Sequence, residues 1–451
     1  MATWQRCEVV QRAATALLLA SCLLHLPAPA QIQPVKGSSM KITHQPTPRD
    51  SNEIDVPITA LRRAALPAPP PAAASGPPSY AQPYANERQN GRVGAPMLVP
   101  LARLWRTELA APGKARQVLA AGATIVVQSS TWQSFGPQGQ ALATSRSGAG
   151  PMYVNGAAGI VYSLDPNGFV AAHAATTGKR EFIVMPGLGD NASFVYLLGR
   201  GRELLLAGAS GPRGNFEQIG ATPPSAPLGP VSMLELVRLP ENTQSAAGSL
   251  LTGARTSRLE VPAGRIVAAR SDDIIVFAVE GAVFFVDRDL NPRAAYAVEG
   301  TPLALSLDEA GRAYLVLDTG GRRELRLITP GGDLGFATTL PSSTDRFPLP
   351  AVIGYDHRVF VASRNKLLAL DPSGRELWSH DLPDKPAGLV IAPDGMLLVS
   401  EGEQLAAYDT HGKRSRLFDF PGERLATPAA VTSGGGLLLA TDKALYSLGA
   451  R

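Results

Sequence analysis

The sequence predicts an all-β fold, a β-propeller of eight or alternatively seven four-stranded blades, from three observations. First, one sequence motif recurs: an apolar run, a turn with Asp or Pro, a Gly and a second apolar run. Its first three parts read Leu367-Leu-Ala-Leu-Asp-Pro-Ser-Gly374 in one repeat. Second, the turn glycines Gly332, Gly374 and Gly412 lie 42 and 38 residues apart. Third, each interval holds four strand-like runs. A period of about 40 residues with four strands per repeat is typical of propeller blades.

Residues 1–30 are predicted to be a signal peptide. A basic amino end precedes an apolar run over residues 13–26, and Ala28-Pro-Ala30 offers small residues for cleavage. Alternatively, Leu19-Ala-Ser-Cys22 has the form of a bacterial lipoprotein box in which Cys22 is lipidated. The apolar run continues past Cys22, which favours cleavage. Both interpretations predict export, as a periplasmic or secreted protein or as an outer-membrane lipoprotein.

Composition excludes several function classes. The only cysteines are Cys7 and Cys22, so a product cut after Ala30 has no thiol for disulfides, metal sites or nucleophilic catalysis. The formal net charge is only +4, and Lys and Arg form no blocks, so we expect no nucleic-acid binding. Beyond the signal, no apolar run is long enough for a transmembrane helix.

Residues 31–100 are predicted to be a disordered linker, and residues 101–451 the propeller. The linker is rich in Pro and Ala, most densely in Leu66-Pro-Ala-Pro-Pro-Pro-Ala-Ala-Ala-Ser-Gly-Pro-Pro78. Such a composition buries too little apolar surface to offset the entropy that ordering would cost. The segment 53–66 has spaced apolar residues, and we interpret it as linker, with ordering on a partner as the alternative.

The later blades share a proline at their start. Each of these prolines precedes an apolar inner strand, a tight turn and a second strand, and their positions are Pro262, Pro302, Pro350, Pro386 and Pro428. Proline fits there because the first residue of a strand need not donate a hydrogen bond to its neighbour. We therefore expect each proline to mark a blade boundary.

One unit is longer than the others. Residues 207–231 are rich in proline and glycine and interrupt this unit before the strand-like run 233–238. We interpret them as an insertion between two strands, and the alternative is a distorted or missing blade boundary. Three side chains of the insertion are its candidate partner contacts: Arg213, Asn215 and Phe216.

The two ends of the propeller are predicted to meet in one blade. The last unit stops after Ala444-Leu-Tyr-Ser-Leu448 without an outer strand, and Leu104-Trp-Arg-Thr-Glu-Leu109 resembles the outer strand Leu377-Trp-Ser-His-Asp-Leu382 without a unit before it. We expect residues 103–109 to complete the final blade and close the ring, which removes exposed sheet edges. Counting this shared blade gives eight.

The stretch Arg358-Val-Phe-Val-Ala-Ser-Arg-Asn-Lys-Leu-Leu-Ala-Leu-Asp-Pro-Ser-Gly-Arg-Glu-Leu-Trp378 resembles the repeat of pyrroloquinoline-quinone (PQQ)-like propellers. The resemblance implies that outer-strand tryptophans dock between blades, here Trp378 and Trp105. The family includes quinone-dependent dehydrogenases and cofactor-free members, such as the propeller lipoprotein of the outer-membrane barrel-assembly machinery. The dehydrogenases carry adjacent cysteines over the quinone, which this chain lacks. The resemblance therefore implies the cofactor-free branch.

No pattern predicts catalytic, cofactor-binding or metal-binding residues. Asp287-Arg-Asp-Leu-Asn291 begins like a calcium loop but lacks its central Gly and its final Glu, where Val298 stands. The repeat instead aligns Asp287 with the turn residues Asp371 and Asp409, and Asp side chains at turns hydrogen-bond their own backbone. The histidines outside the signal show no i, i+4 pairing.

These observations predict an exported, non-enzymatic, monomeric propeller that binds or scaffolds a protein partner in the bacterial cell envelope. The alternative is a propeller enzyme, a lactonase, a lyase or a quinone-type dehydrogenase, with its site in the central channel. Acidic and His side chains gathered at one channel mouth would favour the enzyme.

Overall fold

The computed structural model describes residues 39–45, 52–57, 92–93 and most of 101–450. The gaps in the last range are 112–114, 122, 130, 146–150, 165–168, 185–191, 211–230, 241–248, 252–253, 263–264, 346–347 and 433–434. The described residues form strands and turns without a helix. The predicted signal peptide, with Cys22, and most of the predicted linker lie outside them.

The strands are numbered in chain order. They are β1 Ser39–Gln45, β2 Asn52–Pro57, β3 Leu101–Glu108, β4 Gln117–Ala121, β5 Thr124–Gln128, β6 Trp132–Phe135, β7 Ala141–Ser145, β8 Met152–Asn155, β9 Ile160–Leu164, β10 Val170–Ala174, β11 Arg180–Val184, β12 Ala192–Arg200, β13 Glu203–Ser210, β14 Val231–Arg238, β15 Ser249–Leu250, β16 Arg255–Pro262, β17 Val267–Arg270 and β18 Ile274–Val279. They continue with β19 Ala282–Asp287, β20 Pro292–Ala297, β21 Thr301–Leu307, β22 Ala313–Asp318, β23 Arg323–Ile328, β24 Leu334–Leu340, β25 Val352–Ile353, β26 Val359–Ser363, β27 Lys366–Leu370, β28 Glu376–Asp381, β29 Gly388–Ile391, β30 Leu397–Glu401, β31 Gln404–Tyr408, β32 Arg414–Asp419, β33 Ala430–Val431, β34 Leu437–Ala440 and β35 Ala444–Ala450.

These strands form eight sheets, and the predicted eight-bladed propeller is confirmed. Blade 1 is β4–β7, blade 2 is β8–β11, blade 3 is β12, β13, β14 and β16, blade 4 is β17–β20, blade 5 is β21–β24, blade 6 is β25–β28, blade 7 is β29–β32, and blade 8 is β33–β35 with β3. The first strand of a blade is innermost: β17 contacts β21 and β25 contacts β29 across blade boundaries. The fourth strand is outermost and the most exposed, as in β28 and β32.

The N-terminal strand closes the ring. β3 pairs antiparallel with β35, so that Leu101 lies opposite Ala450 and Glu108 lies opposite Ala444. β3 thus supplies the fourth strand of blade 8, as predicted, and it begins two residues before the predicted start. The ring has no open edge between its first and last blades.

The long unit is blade 3, and its extra residues lie between two of its strands. β13 and β14 pair antiparallel, with Ala209 opposite Ser232, so residues 211–230 connect neighbouring strands. The interpretation as an inter-strand insertion is confirmed for residues 211–230, and the alternative of a missing blade boundary is wrong. The predicted bounds of 207–231 are too wide, because residues 207–210 belong to β13 and Val231 begins β14. β13 continues to Ser210 because its apolar run is buried in the blade. Arg213, Asn215 and Phe216 lie outside the described residues.

Two blades carry additional strands on their outer edges. β15 lies parallel to β11 of blade 2, with Ser249 opposite Phe182. β1 and β2 form a hairpin, and β1 pairs antiparallel with β16 of blade 3, with Lys41 opposite Glu260. The hairpin comes from the segment 31–100, the rest of which, apart from residues 92–93, lies outside the described residues.

The predicted docking of outer-strand tryptophans is confirmed. Trp378 Nε1 of blade 6 donates to the Thr410 carbonyl of blade 7 at 3.4 Å. Trp105 docks in the same way across the junction between blades 8 and 1. Each indole lies on a turn glycine with positive φ, where a Cβ would lie only 2.8 Å from Trp378 at Gly412 and 2.6 Å from Trp105 at Gly139. Only glycine allows this approach in that backbone conformation.

Candidate functional site

The connections of the propeller lie on two faces of the ring. Successive strands of a blade run in opposite directions, so their connections alternate between the faces. One face carries the connections from second to third strands and from blade to blade. The end of β13 and the start of β14 lie on it, and we call it the insertion face. The other face carries the remaining turns and holds Arg92, and we call it the Arg92 face.

The insertion is the largest irregularity of the ring. In the other seven blades the second and third strands are joined by two to five residues. In blade 3 the same connection has about 20 residues, since β13 ends at Ser210 and β14 begins at Val231. Loops longer than about 12–15 residues are uncommon in compact domains and are often functional.

A polar groove of about 400 Å³ also opens on the insertion face, over blade 6. Its walls are three connections, contributed by Ser343, Thr344, Asp345, Arg364, Asn365, Pro383, Asp384 and Lys385. Lys385 Nζ lies 2.5 Å from Asp345 Oδ2 and joins two of the walls. Asp384 Oδ2 lies 2.7 Å from Arg424 Nη2. Both carboxylates therefore serve in ion pairs.

Four histidines lie in the blades: one in blade 2, two in blade 6 and one in blade 7. His173 is buried in blade 2 against Trp132, with ring centroids 5.6 Å apart, and burial lowers the pKa of its imidazole. His380 Nε2 lies 2.7 Å from the Gly412 carbonyl at the junction of blades 6 and 7. His357 and His411 lie in turns, as predicted. Within the described ranges, no three His, Cys, Asp or Glu side chains are grouped to hold a metal ion.

Asp287 has the turn role that the repeat predicted. Its Oδ1 accepts the backbone N–H groups of Asp289 and Asn291, both at 2.9 Å, and its Oδ2 accepts Arg293 Nη2 at 2.8 Å. Burial raises the pKa of this carboxyl, but these hydrogen bonds outweigh burial and leave the pKa below its ordinary value. The carboxylate thus stabilises its own turn.

A buried carboxylate, Asp308, and a half-buried one, Glu203, are held by neighbouring donors on the Arg92 face. Asp308 Oδ2 accepts Arg312 Nε at 2.6 Å and the Tyr314 hydroxyl at 3.3 Å. Burial, followed by the charge of Asp308, raises the pKa of Tyr314 above its ordinary value. Glu203 accepts Arg270 Nη2 at 2.7 Å between blades 3 and 4. These hydrogen bonds stabilise contacts within and between blades.

The chain ahead of β3 enters the mouth of the central channel at residues 92–93, the Arg92 segment. The Val93 N–H donates to the Ile391 carbonyl at 3.1 Å, and Arg92 forms a parallel bridge with Ile391. Ile391 ends β29, the innermost strand of blade 7, whose free edge faces the channel. The Tyr355 hydroxyl donates to the Val93 carbonyl at 2.7 Å. The segment therefore lies in the channel mouth.

The guanidinium of Arg92 is surrounded by acceptors from blades 5 and 6. Its side chain is only 6% exposed and is paired with Glu309. Arg92 Nε donates to the Ile353 carbonyl at 2.7 Å, and Nη2 donates to the Gly354 carbonyl. The guanidinium carbon lies 4.7 Å from the ring centroid of Tyr355. Sequence reasoning missed this site, since Arg92 is one of several cations in the linker and its partners are more than 200 residues away.

Similar solved structures are propellers with different activities. BamB from Moraxella catarrhalis is 13% identical, with a TM-score of 0.50 over 78% of this chain and 98% of that chain. The Dos1 propeller is 11% identical, with a TM-score of 0.58 over 77% and 95%. The quinohemoprotein alcohol dehydrogenase from Comamonas testosteroni is 10% identical, with a TM-score of 0.55 over 83% and 81%. Identities this low show the fold alone, a β-propeller.

Sequence comparisons add no relative: no protein-family model and no curated protein sequence matches this chain. In the part of the chain that the structure describes, no helix has the length and apolar character needed to cross a membrane.

Proposed function

We propose that this chain is an exported, non-enzymatic propeller that binds a protein partner in the bacterial cell envelope through its insertion face. The observation that carries the proposal is the length of the connection 211–230. The equivalent connections of the other blades have only two to five residues. A rigid ring positions such a loop for recognition while the blades maintain the fold.

The groove over blade 6 supports the same face as the contact surface. Its ion pairs, Asp345 with Lys385 and Asp384 with Arg424, resemble the polar rim of a protein interface more than a catalytic pair. The candidate contacts Arg213, Asn215 and Phe216 would supply the centre of the interface, because arginine and aromatic side chains dominate binding energy at such centres.

Export is supported by the amino-terminal sequence. Residues 1–30 have the pattern of a signal peptide, and both cysteines lie within it. The repeat ending at Trp378 resembles that of an envelope lipoprotein, and BamB is among the similar solved structures. The mass of the purified mature protein tests this part: a product beginning at Gln31, or a lipidated Cys22, supports export, and an uncut chain in the cytoplasm contradicts it.

A short-loop variant tests the partner. Because Ala209 lies opposite Ser232, an Asn-Gly turn in place of residues 211–230 can join β13 to β14 as a two-residue hairpin. We expect crosslinking in the native envelope to capture a partner with the wild-type chain and with the control variant E376Q, whose site lies on the exposed outer strand of blade 6. The short-loop variant should unfold at the same temperature and lose that partner, and purified components should reproduce the loss.

Two results would contradict the proposal. Equal capture by the short-loop variant would remove the insertion from the interface. Absence of any specific partner for the wild-type chain would contradict the scaffold, and the central channel should then be screened for calcium, quinone and small-molecule ligands. Turnover of such a ligand would establish the enzyme instead.

A further inference from the structure

We propose that the channel mouth on the Arg92 face is a recognition site for an extended peptide segment that carries an arginine, and that the Arg92 segment occupies this site in cis. The inference does not depend on the partner proposed above, since it concerns the opposite face of the ring.

The ring itself holds the acceptors in place. The Gly354 N–H donates to the Arg358 carbonyl at 2.7 Å, and the His357 N–H donates to the Gly354 carbonyl at 3.0 Å, which fixes the turn of blade 6. In blade 5 the turn that carries Glu309 is fixed by Asp308, which accepts the Arg312 N–H at 2.9 Å. None of these bonds involves the Arg92 segment, so we expect the site to persist when the segment leaves.

The site is shaped for a guanidinium. Three nitrogens of Arg92 bind acceptors in three directions, namely the carbonyls of Ile353 and Gly354 and the carboxylate of Glu309. The planar group also lies over the ring of Tyr355. A lysine ammonium is a compact charge on a flexible stem and cannot reproduce this fork and stacking geometry.

The residue after the arginine is recognised through its backbone. The Val93 N–H donates to the Ile391 carbonyl, and the Val93 carbonyl accepts a hydrogen bond from the Tyr355 hydroxyl. Pairing along the free edge of β29 is the strand-addition mode of peptide binding, in which backbone hydrogen bonds require an extended ligand. The Val93 side chain is only 6% exposed and belongs to a hydrophobic cluster of the ring. The ligand class is therefore an extended segment in which an apolar residue follows the arginine.

The occupant is held close by covalent linkage. Only residues 94–100 separate Val93 from β3, which is fixed in blade 8. A short linker gives an effective concentration on the order of millimolar. A segment of the same chemistry from another protein must compete with Arg92, so the Arg92 segment regulates access to the channel mouth.

A binding measurement in trans tests the recognition site. The probe is a labelled peptide of residues 89–95, Gln-Asn-Gly-Arg-Val-Gly-Ala, added to the mature chain with R92A. We expect it to bind this variant at least about tenfold more tightly than the wild-type chain, whose site is filled. A peptide with Lys at the arginine position should bind about tenfold more weakly, because the bidentate and stacked contacts are lost.

The acceptor and its control are changed in the same R92A background. E309Q should weaken peptide binding about tenfold through loss of a charge-assisted contact. E376Q, on the exposed outer strand of blade 6, should leave binding unchanged. Failure of the peptide to bind R92A, equal binding by the Lys peptide, or equal binding to the wild-type chain would each overturn the proposal.

Cleavage by trypsin provides a second readout that leaves Arg92 in place. Trypsin must take the arginine into its own specificity pocket, so the bond after Arg92 is cut only when the segment leaves the mouth. Mass spectrometry measures the cleavage rate at this bond. We expect the rate in E309Q to be about tenfold higher than in the wild-type chain and in E376Q. An unchanged rate would show that Glu309 does not hold the segment and would overturn the proposed site.

Discussion

Blades 7 and 8 contain the same polar network, a carboxylate with a tyrosine and an arginine, but they assemble it differently. In blade 7 all three groups come from consecutive strands. The Tyr408 hydroxyl donates to Glu401 Oε1 at 2.6 Å, and Arg414 Nη2 donates to Glu401 Oε2 at 2.9 Å. The Glu401 side chain is fully buried. Burial and the hydrogen bond to Glu401 raise the pKa of Tyr408 above its ordinary value.

In blade 8 the same parts come from three distant segments. Arg106 on β3 donates through Nε to the Tyr446 hydroxyl at 3.0 Å and through Nη2 to Glu423 Oε1 at 3.0 Å. Glu423 belongs to the connection that precedes the blade. Thr441, at the place that Glu401 takes in blade 7, donates its hydroxyl to Glu423 Oε2 at 2.6 Å. The Glu423 side chain is 12% exposed.

The difference shows which part of the network the fold requires. In both blades a tyrosine on the third strand and an arginine on the fourth share one carboxylate, and the guanidinium donates to it. The carboxylate can come from the second strand or from the preceding connection. In blade 8, however, the network also links the two ends of the propeller, so its loss should affect ring closure.

The largest effect is expected from removing residues 101–109. This deletion takes away β3, its docked Trp105 and the guanidinium of Arg106, and it exposes the edge of β35. We expect a loss of more than about 4 kcal/mol in the free energy of unfolding, or aggregation through the open edge. Thermal unfolding of the mature chain measures it, with deletion of residues 31–37 as the control. An unchanged midpoint would show that blade 8 does not need its N-terminal strand.

A smaller effect is expected from E401Q in blade 7. The variant keeps the shape of the side chain but removes the charge that accepts from Tyr408 and Arg414. The Arg414 side chain is 37% exposed and keeps its hydrogen bond to Gln404, so we expect a loss of about 2 kcal/mol in the free energy of unfolding. Urea unfolding followed by circular dichroism measures it. E376Q on the exposed outer strand of blade 6 should change stability by less than about 0.5 kcal/mol. Equal stabilities of the two variants would mean that the buried carboxylate contributes nothing specific.

The E423Q variant in blade 8 should lose less free energy of unfolding, about 1–2 kcal/mol. The Glu423 carboxylate is partly exposed, and Arg106 keeps its hydrogen bond to the Tyr446 hydroxyl. Burial raises the pKa of Glu423, but hydrogen bonds from Thr441 and Arg106 outweigh burial and leave it below its ordinary 4.5. A lowered folded pKa gives stability that is present above the unfolded value and is lost as the pH falls through the folded value.

The difference in unfolding free energy between wild type and E423Q should therefore have its largest value at pH 7 and become smaller as the pH falls below about 4.5. Urea unfolding at several pH values measures this difference. A difference that stays constant down to pH 3 would mean that the charge of Glu423 is not what stabilises blade 8.

The sequence predicted the parts of this comparison that are local. The repeated turn glycines gave the blades, and the likeness of Leu104-Trp105 to Leu377-Trp378 gave the closing strand. It could not predict Glu423 as the carboxylate of blade 8, because the repeat alignment points to Thr441. The Arg92 site was missed for the same physical reason: its acceptors are carbonyls and turn residues that only the closed ring brings together. Periodicity encodes strands and turns, but not contacts between segments far apart in the chain.

The smallest effect comes from moving the blade 7 arrangement into blade 8. If the network needs only one carboxylate near its tyrosine and arginine, T441E should recover about 1 kcal/mol of the stability lost in E423Q, because the new carboxylate stands where Glu401 does. In the wild-type background T441E should instead destabilise the chain, since it places a second charge beside Glu423. Urea unfolding of the two single variants and the double variant forms a complete cycle. Additive effects would mean that the two positions do not share one network, and that the likeness of the blades is only geometric.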